Sequence, residues 1–91
     1  MNNEFNKDNF PKIIIQGIIK GQDITVQHPR PVITDEKTQA KYDLPYNFNG
    51  ENIMTKYRDK RVVIQGRLLK SKVVGDKVYH KPYIESIEII K

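Results

Sequence analysis

Ile13-Ile14-Ile15-Gln16-Gly17-Ile18-Ile19-Lys20 and Val62-Val63-Ile64-Gln65-Gly66-Arg67-Leu68-Leu69-Lys70 decide the fold, because the two stretches carry nearly the same pattern. Each sets three β-branched residues before a Gln-Gly pair and follows the pair with two aliphatics near a lysine. β-Branched side chains suit the pleated surface of a strand. A glycine inside such a run marks a bulge or a tight corner, where a larger side chain would obstruct a neighbouring backbone. Two strands that each bend at a glycine point to one closed barrel. The repetition is too short and too isolated for a solenoid.

The residues around these stretches supply the remaining elements. Asp23-Ile24-Thr25-Val26-Gln27 alternates and reads as a second strand, interrupted by His28-Pro29-Arg30-Pro31. The two prolines each lack a backbone donor, which places that piece at an edge or in a loop, with Val32-Ile33-Thr34 available to resume the strand. Asp35-Glu36-Lys37-Thr38 is a polar turn. From Ala40 to Phe48 the chain alternates again, with Tyr42, Leu44, Tyr46 and Phe48 on one face and Lys41, Asp43 and Asn47 on the other, which predicts a third strand. Glu51 to Asp59 is the one stretch that reads as helix: Ile53, Met54 and Tyr57 fall at helical spacing and Asn49 is available as the N-cap. At about two turns it can plug a barrel end but cannot stand alone. Arg61 to Lys70 and Lys77 to Ile90 form the fourth and fifth strands of a long hairpin, joined through Ser71-Lys72-Val73-Val74 and a Gly75-Asp76 turn. Residues 1–11 are a polar, mobile lead-in and residues 12–91 a single domain.

A chain of 91 residues has room for one core. It contains no cysteine, which excludes disulfides and thiolate metal sites and fits a reducing, cytoplasmic setting. Aliphatic runs as short as Ile13-Ile14-Ile15 fall far below the roughly 20 residues of a membrane-spanning helix. The first eight residues contain no apolar stretch of the kind a secretory signal needs. A soluble, cytoplasmic domain is therefore expected. The net charge of +5 is unevenly placed: residues 1–55 carry six Lys/Arg against seven Asp/Glu, whereas residues 56–91 carry ten against four. Such a one-sided excess raises the local concentration of polyanions, although charge of this size also serves solubility alone.

Strand, strand, strand, short helix, strand, strand, with glycines inside the first and fourth strands, resembles the OB-fold, an all-β, five-stranded Greek-key barrel whose helix lies between strands three and four. Tyr57-Arg58-Asp59-Lys60-Arg61-Val62-Val63-Ile64-Gln65-Gly66-Arg67-Leu68 looks like the entry to the fourth strand of many small bacterial OB domains, and Tyr83-Ile84-Glu85-Ser86-Ile87-Glu88-Ile89-Ile90 like their final strand. The resemblance covers roughly residues 12–90 and is one of pattern. It implies a ligand face on strands two and three, flanked by the one–two loop (Lys20-Gly21-Gln22-Asp23) and the four–five loop (Lys70-Ser71-Lys72 through Lys77). The His28-Pro29-Arg30-Pro31 break departs from that pattern and would shorten strand two or lift its end.

Proteins of this kind hold single strands with cations along the phosphates and aromatic faces on the bases, at about 1–3 kcal/mol per stacked base. The basic candidates are Arg67, Lys70, Lys72, Lys77 and Lys81. The aromatic candidates are Tyr46, Phe48, Tyr79 and Tyr83, of which Tyr79 and Tyr83 flank Lys81 in an alternation that puts all three on one strand face. Each lysine taken singly also fits an ordinary solvated face. Tyr42 shares its face with Leu44 and belongs to the core, and Tyr46 and Phe48 fit either the core or the ligand face. His28 and His80 have no second ligand at metal-binding spacing, so neither a metal nor another cofactor is expected. No phosphate loop, nucleophile elbow or catalytic Ser/His/Asp context is present, and the residues ask for no enzyme. Two principal readings follow: a module for single-stranded DNA or RNA with little sequence preference, or a protein-interaction module that meets an acidic partner or a second copy through an edge strand. Sequestration of a small anionic ligand such as a nucleotide is a third.

Overall fold

The structure, a computed structural model, describes residues 6–22 and 29–90. Its elements are β1 (Lys12–Gln22), β2 (Arg30–Thr34), β3 (Lys41–Asp43), β4 (Asn47–Phe48), β5 (Glu51–Asn52), α1 (Ile53–Tyr57), β6 (Arg61–Val74) and β7 (Lys77–Ile89), after a short 3-10 turn at Lys7–Asn9. Strands β1-β2-β3-β7-β6 close into a barrel, while β4 and β5 form a separate two-stranded ribbon. All barrel neighbours are antiparallel except β3 and β7, which run parallel. The chain is thus an all-β domain, a five-stranded mixed barrel with one short helix, and its strand order is consistent with an OB-fold-like architecture.

The two matching stretches lie against each other. β1 and β6 pair antiparallel, so that Gly17 falls opposite Val62 and Gly66 opposite Ile13. Each glycine therefore faces an aliphatic of its partner while a third strand crosses close behind it. A Cβ at Gly17 would run into the carbonyl oxygen of Thr34, and one at Gly66 into that of Tyr83. At Gly66 the corner is also a bulge: the register between β6 and β7 shifts between Gln65 and Gly66, leaving Glu85 as the extra residue of β7.

Ile15, Ile19, Ile33, Leu44, Val62, Ile64 and Ile84 fill the barrel, and Ile53 and Tyr57 of α1 pack into the same cluster. The helix contributes a fully buried isoleucine and acts as a plug, as its length requires. It is shorter than Glu51 to Asp59, and its cap is Asn52, not Asn49: Asn52 Oδ1 accepts from the Thr55 amide at 2.9 Å. Asn49 instead takes a left-handed φ of 56° in the turn joining β4 to β5.

Three further expectations need correction. The third strand does not run unbroken from Ala40 to Phe48; it stops at Asp43 and pairing resumes only at Asn47. Pro45, which has no amide proton to give a ladder, lies in the gap. Tyr42, Leu44 and Phe48 nonetheless face the core, whereas Tyr46 is exposed. The connection at Ser71-Lys72-Val73-Val74 is not a loop, because β6 continues through Val74 and pairs with β7 up to a tight Gly75-Asp76 turn. The proline-rich break leaves a strand beginning at Arg30, with Pro31 buried inside it opposite Gly21. The predicted second strand at 23–27 and His28 lie outside the described residues.

Candidate functional site

Strand parity fixes one outer face. Ile19 and Ile33 pair inside the barrel, so the adjacent pair Lys20 and Val32 lies outside. Register carries that face onward: Val32 opposite Asp43, Thr34 opposite Lys41, Lys41 opposite Tyr79, and Tyr79 opposite Lys72. A recess of about 270 Å³ opens on it, lined by Lys20, Gln22, Thr34, Lys41, Lys77 and Tyr79 together with the apolar Ile18 and Val32. Val32 and Tyr79 are buried although they are not members of the barrel core.

Three elements or connections supply the cations here: Lys20 from β1, Lys41 from β3 and Lys77 from the start of β7. Lys20 Nζ lies 3.0 Å from Asp59 Oδ1, and this contact holds the Asp59 carboxyl below its usual range. Lys41 Nζ donates to Thr34 Oγ1 at 3.2 Å, an interaction that leaves its charge uncompensated. Lys77 makes no ion pair among the described residues. Tyr79 is only 5% exposed, and its hydroxyl accepts from Gln22 Nε2 at 3.0 Å. Chemically, the recess offers ammonium, amide and hydroxyl donors beside an apolar surface, which suits an anion attached to a less polar group.

The candidates from sequence fall into three sets. Lys77 and Tyr79 line the recess, and Lys72 lies on its face. Lys70 and Lys81 sit opposite each other further down the hairpin. Arg67, Tyr83, Tyr46 and Phe48 do not line it. Arg67 is drawn the other way, against the N-terminal segment: its Nη1 donates to the Phe10 carbonyl at 3.1 Å, and its guanidinium lies 3.5 Å from Asp8 and 3.8 Å from Glu85. Lys7 reaches the same Glu85 at 2.9 Å and, with Arg67, depresses its carboxyl. Tyr79, Lys81 and Tyr83 do share the outer parity of β7, since Pro82 and Ile84 between and beyond them are buried, but Tyr79 presents no open ring for stacking. Phe48 is packed against the core.

Lys20, Gln22, Thr34 and Lys41 were not among the candidates. Their signal lay in the ligand face implied by the resemblance, since Lys20 and Gln22 belong to its one–two loop and Lys41 to the polar side of its third strand. Among the described residues no group of three His, Asp or Glu gathers as a metal site would require. No described helix is long and apolar enough to cross a membrane. The chain matches no known protein family, and no curated protein is similar to it in sequence.

Proposed function

We propose that this domain is a binding module for single-stranded nucleic acid, with little sequence preference and no catalytic role, and that it holds its ligand along the outer face of β1, β2 and β3 and the root of the β6–β7 hairpin. The observation that carries the reading is the convergence of Lys20, Lys41 and Lys77, distant in sequence, on one recess that Ile18 and Val32 also line. Cations so placed follow a phosphate chain, while Ile18 and Val32 contribute contacts to sugar and base surface. With Tyr79 buried, charge dominates over stacking, and affinity falls steeply with salt. Fluorescence anisotropy with a labelled oligo(dT) tests this. With Lys20 already paired to Asp59, the two phosphate contacts of Lys41 and Lys77 give a log–log salt slope of about −1.4, and Lys41→Ala and Lys77→Ala each reduce it by about 0.7. Absence of binding at low salt, or binding indifferent to salt, refutes the reading.

A second reading, a protein-interaction module, draws on the hairpin tip. Val73 is 69% exposed there, beside exposed Val74 and Val78. A stoichiometric protein partner that survives nuclease treatment, or a concentration-dependent dimer in sedimentation, favours it over the first.

A further inference from the structure

Asp43 is the buried charge that the recess does not explain. Its side chain is 8% exposed, and among the described residues Oδ1 has no hydrogen-bond partner. Oδ2 faces two cations at once, Arg30 Nη1 and Lys72 Nζ, each 3.8 Å away. Both separations exceed the 2.7–2.9 Å of a charge-assisted hydrogen bond. The two cations are themselves 39% and 41% exposed, so their heads reach solvent. Among the described residues the group carries one negative and two positive charges, and neither positive charge is held tightly.

Its position ties it to the recess. In register, Arg30 lies opposite Gln22, Asp43 opposite Val32 and Lys72 opposite Tyr79, and each of those three partners lines the recess. Arg30, Asp43 and Lys72 thus form the next row on the same face.

We propose that Arg30 and Lys72 are a second anion-contacting pair of this surface and that Asp43 is its internal competitor, a buried carboxylate that takes up part of the attraction the two cations would otherwise offer a ligand phosphate. The carboxylate then sets affinity: a polyanion gains from these two cations only what their attraction to Asp43 leaves. Replacing Asp43 by its neutral isostere releases both, so binding strengthens. A carboxylate that merely held the fold, or that accepted a hydrogen bond from a ligand, gives the opposite result when replaced.

The inference rests on the nucleic-acid reading for its probe, and the experiment separates the two. Anisotropy with labelled oligo(dT) is measured across salt for the wild-type chain, Asp43→Asn, Arg30→Met, Lys72→Met and each Met variant combined with Asp43→Asn, with circular dichroism to establish folding. The expected result is that Asp43→Asn binds about threefold tighter or more, with a salt slope steeper by up to about 1.4, the value for two added phosphate contacts. Arg30→Met and Lys72→Met alone change affinity less than about twofold, yet each removes much of the gain when combined with Asp43→Asn, a coupling that a double-mutant cycle isolates. Unchanged or weaker binding by folded Asp43→Asn overturns the proposal. So does a loss on Arg30→Met or Lys72→Met in the wild-type background as large as in the Asp43→Asn background, or, should Asp43→Asn fail to fold, any such loss beyond twofold in the single variants. Inorganic tripolyphosphate, titrated calorimetrically, is the second probe. A gain on Asp43→Asn with tripolyphosphate but no oligo(dT) binding upholds the anion pair and rejects nucleic acid as the ligand; binding of neither probe rejects both.

Discussion

Asp35 satisfies donors from two separate segments at one turn. Its Oδ1 accepts from the Gln16 amide of β1 at 3.0 Å, and its Oδ2 accepts from the amide and the hydroxyl of Thr38 at 3.1 and 2.8 Å. Burial alone would raise the carboxyl's pKa, but these donors outweigh it and hold it below its ordinary value of 3.8. The sequence reading of Asp35-Glu36-Lys37-Thr38 as a polar turn was correct, while the reach back to Gln16 was invisible because it depends on β1 and β2 being neighbours. A group with a depressed folded pKa stabilises the fold at pH above its unfolded value and loses that contribution as pH falls through the folded one. Asp35→Asn turns an amide N–H toward a donor and is expected to cost about 1–3 kcal/mol at pH 7. In urea unfolding, the gap between wild type and Asp35→Asn should begin to narrow below about pH 4 and shrink further toward pH 2. A gap independent of pH would show that the carboxylate's charge contributes nothing.

The elements divide by how many neighbours they have. β6 is flanked by β1 and β7 from Arg61 to Arg67, whereas beyond Leu68 its ladder runs to β7 alone. Val73 and Val74 were read as part of the connection between the fourth and fifth strands. In the structure they are strand residues whose backbone finds partners in β7 while their side chains stay in solvent. Pairing without burial gives weak local stability. Hydrogen exchange followed by NMR is therefore expected to show the amides of residues 72–74 and 77–78 exchanging roughly a hundredfold faster than those of 62–66. Equal protection would mean that the hairpin tip is held by contacts outside the described barrel. The same contrast explains which elements were legible. β1 and the first half of β6 announce themselves through aliphatics that must be buried and glycines that must be small. The start of α1 depends on Asn52 in place of Asn49, a choice settled by tertiary packing, whereas the end of β3 was legible in Pro45, which has no amide proton.

For the molecule as a whole, the basic excess is less available than its count implies. Arg61 is bound to Glu36 at 2.8 Å, Lys56 to Glu51 at 2.6 Å and Lys7 to Glu85 at 2.9 Å, so much of the positive charge is already partnered at the surface. Composition could give the total but not this assignment, and so it favoured Arg67 and overlooked Lys41. The barrel itself has one uneven seam. β3 meets β7 through two residue pairs only, Lys41 with Tyr79 and Tyr42 with His80, and this brief parallel contact completes a ring whose other joins are longer. Lys41 stands on one lip of that seam and Lys77 near the other. A chain of phosphates lying across both would act as a clasp on the shortest join of the ring, so occupancy and rigidity should rise together. Saturating oligo(dT) is expected to raise the melting temperature of the wild-type chain and to do so much less for Lys41→Ala, by the linkage between ligand binding and unfolding.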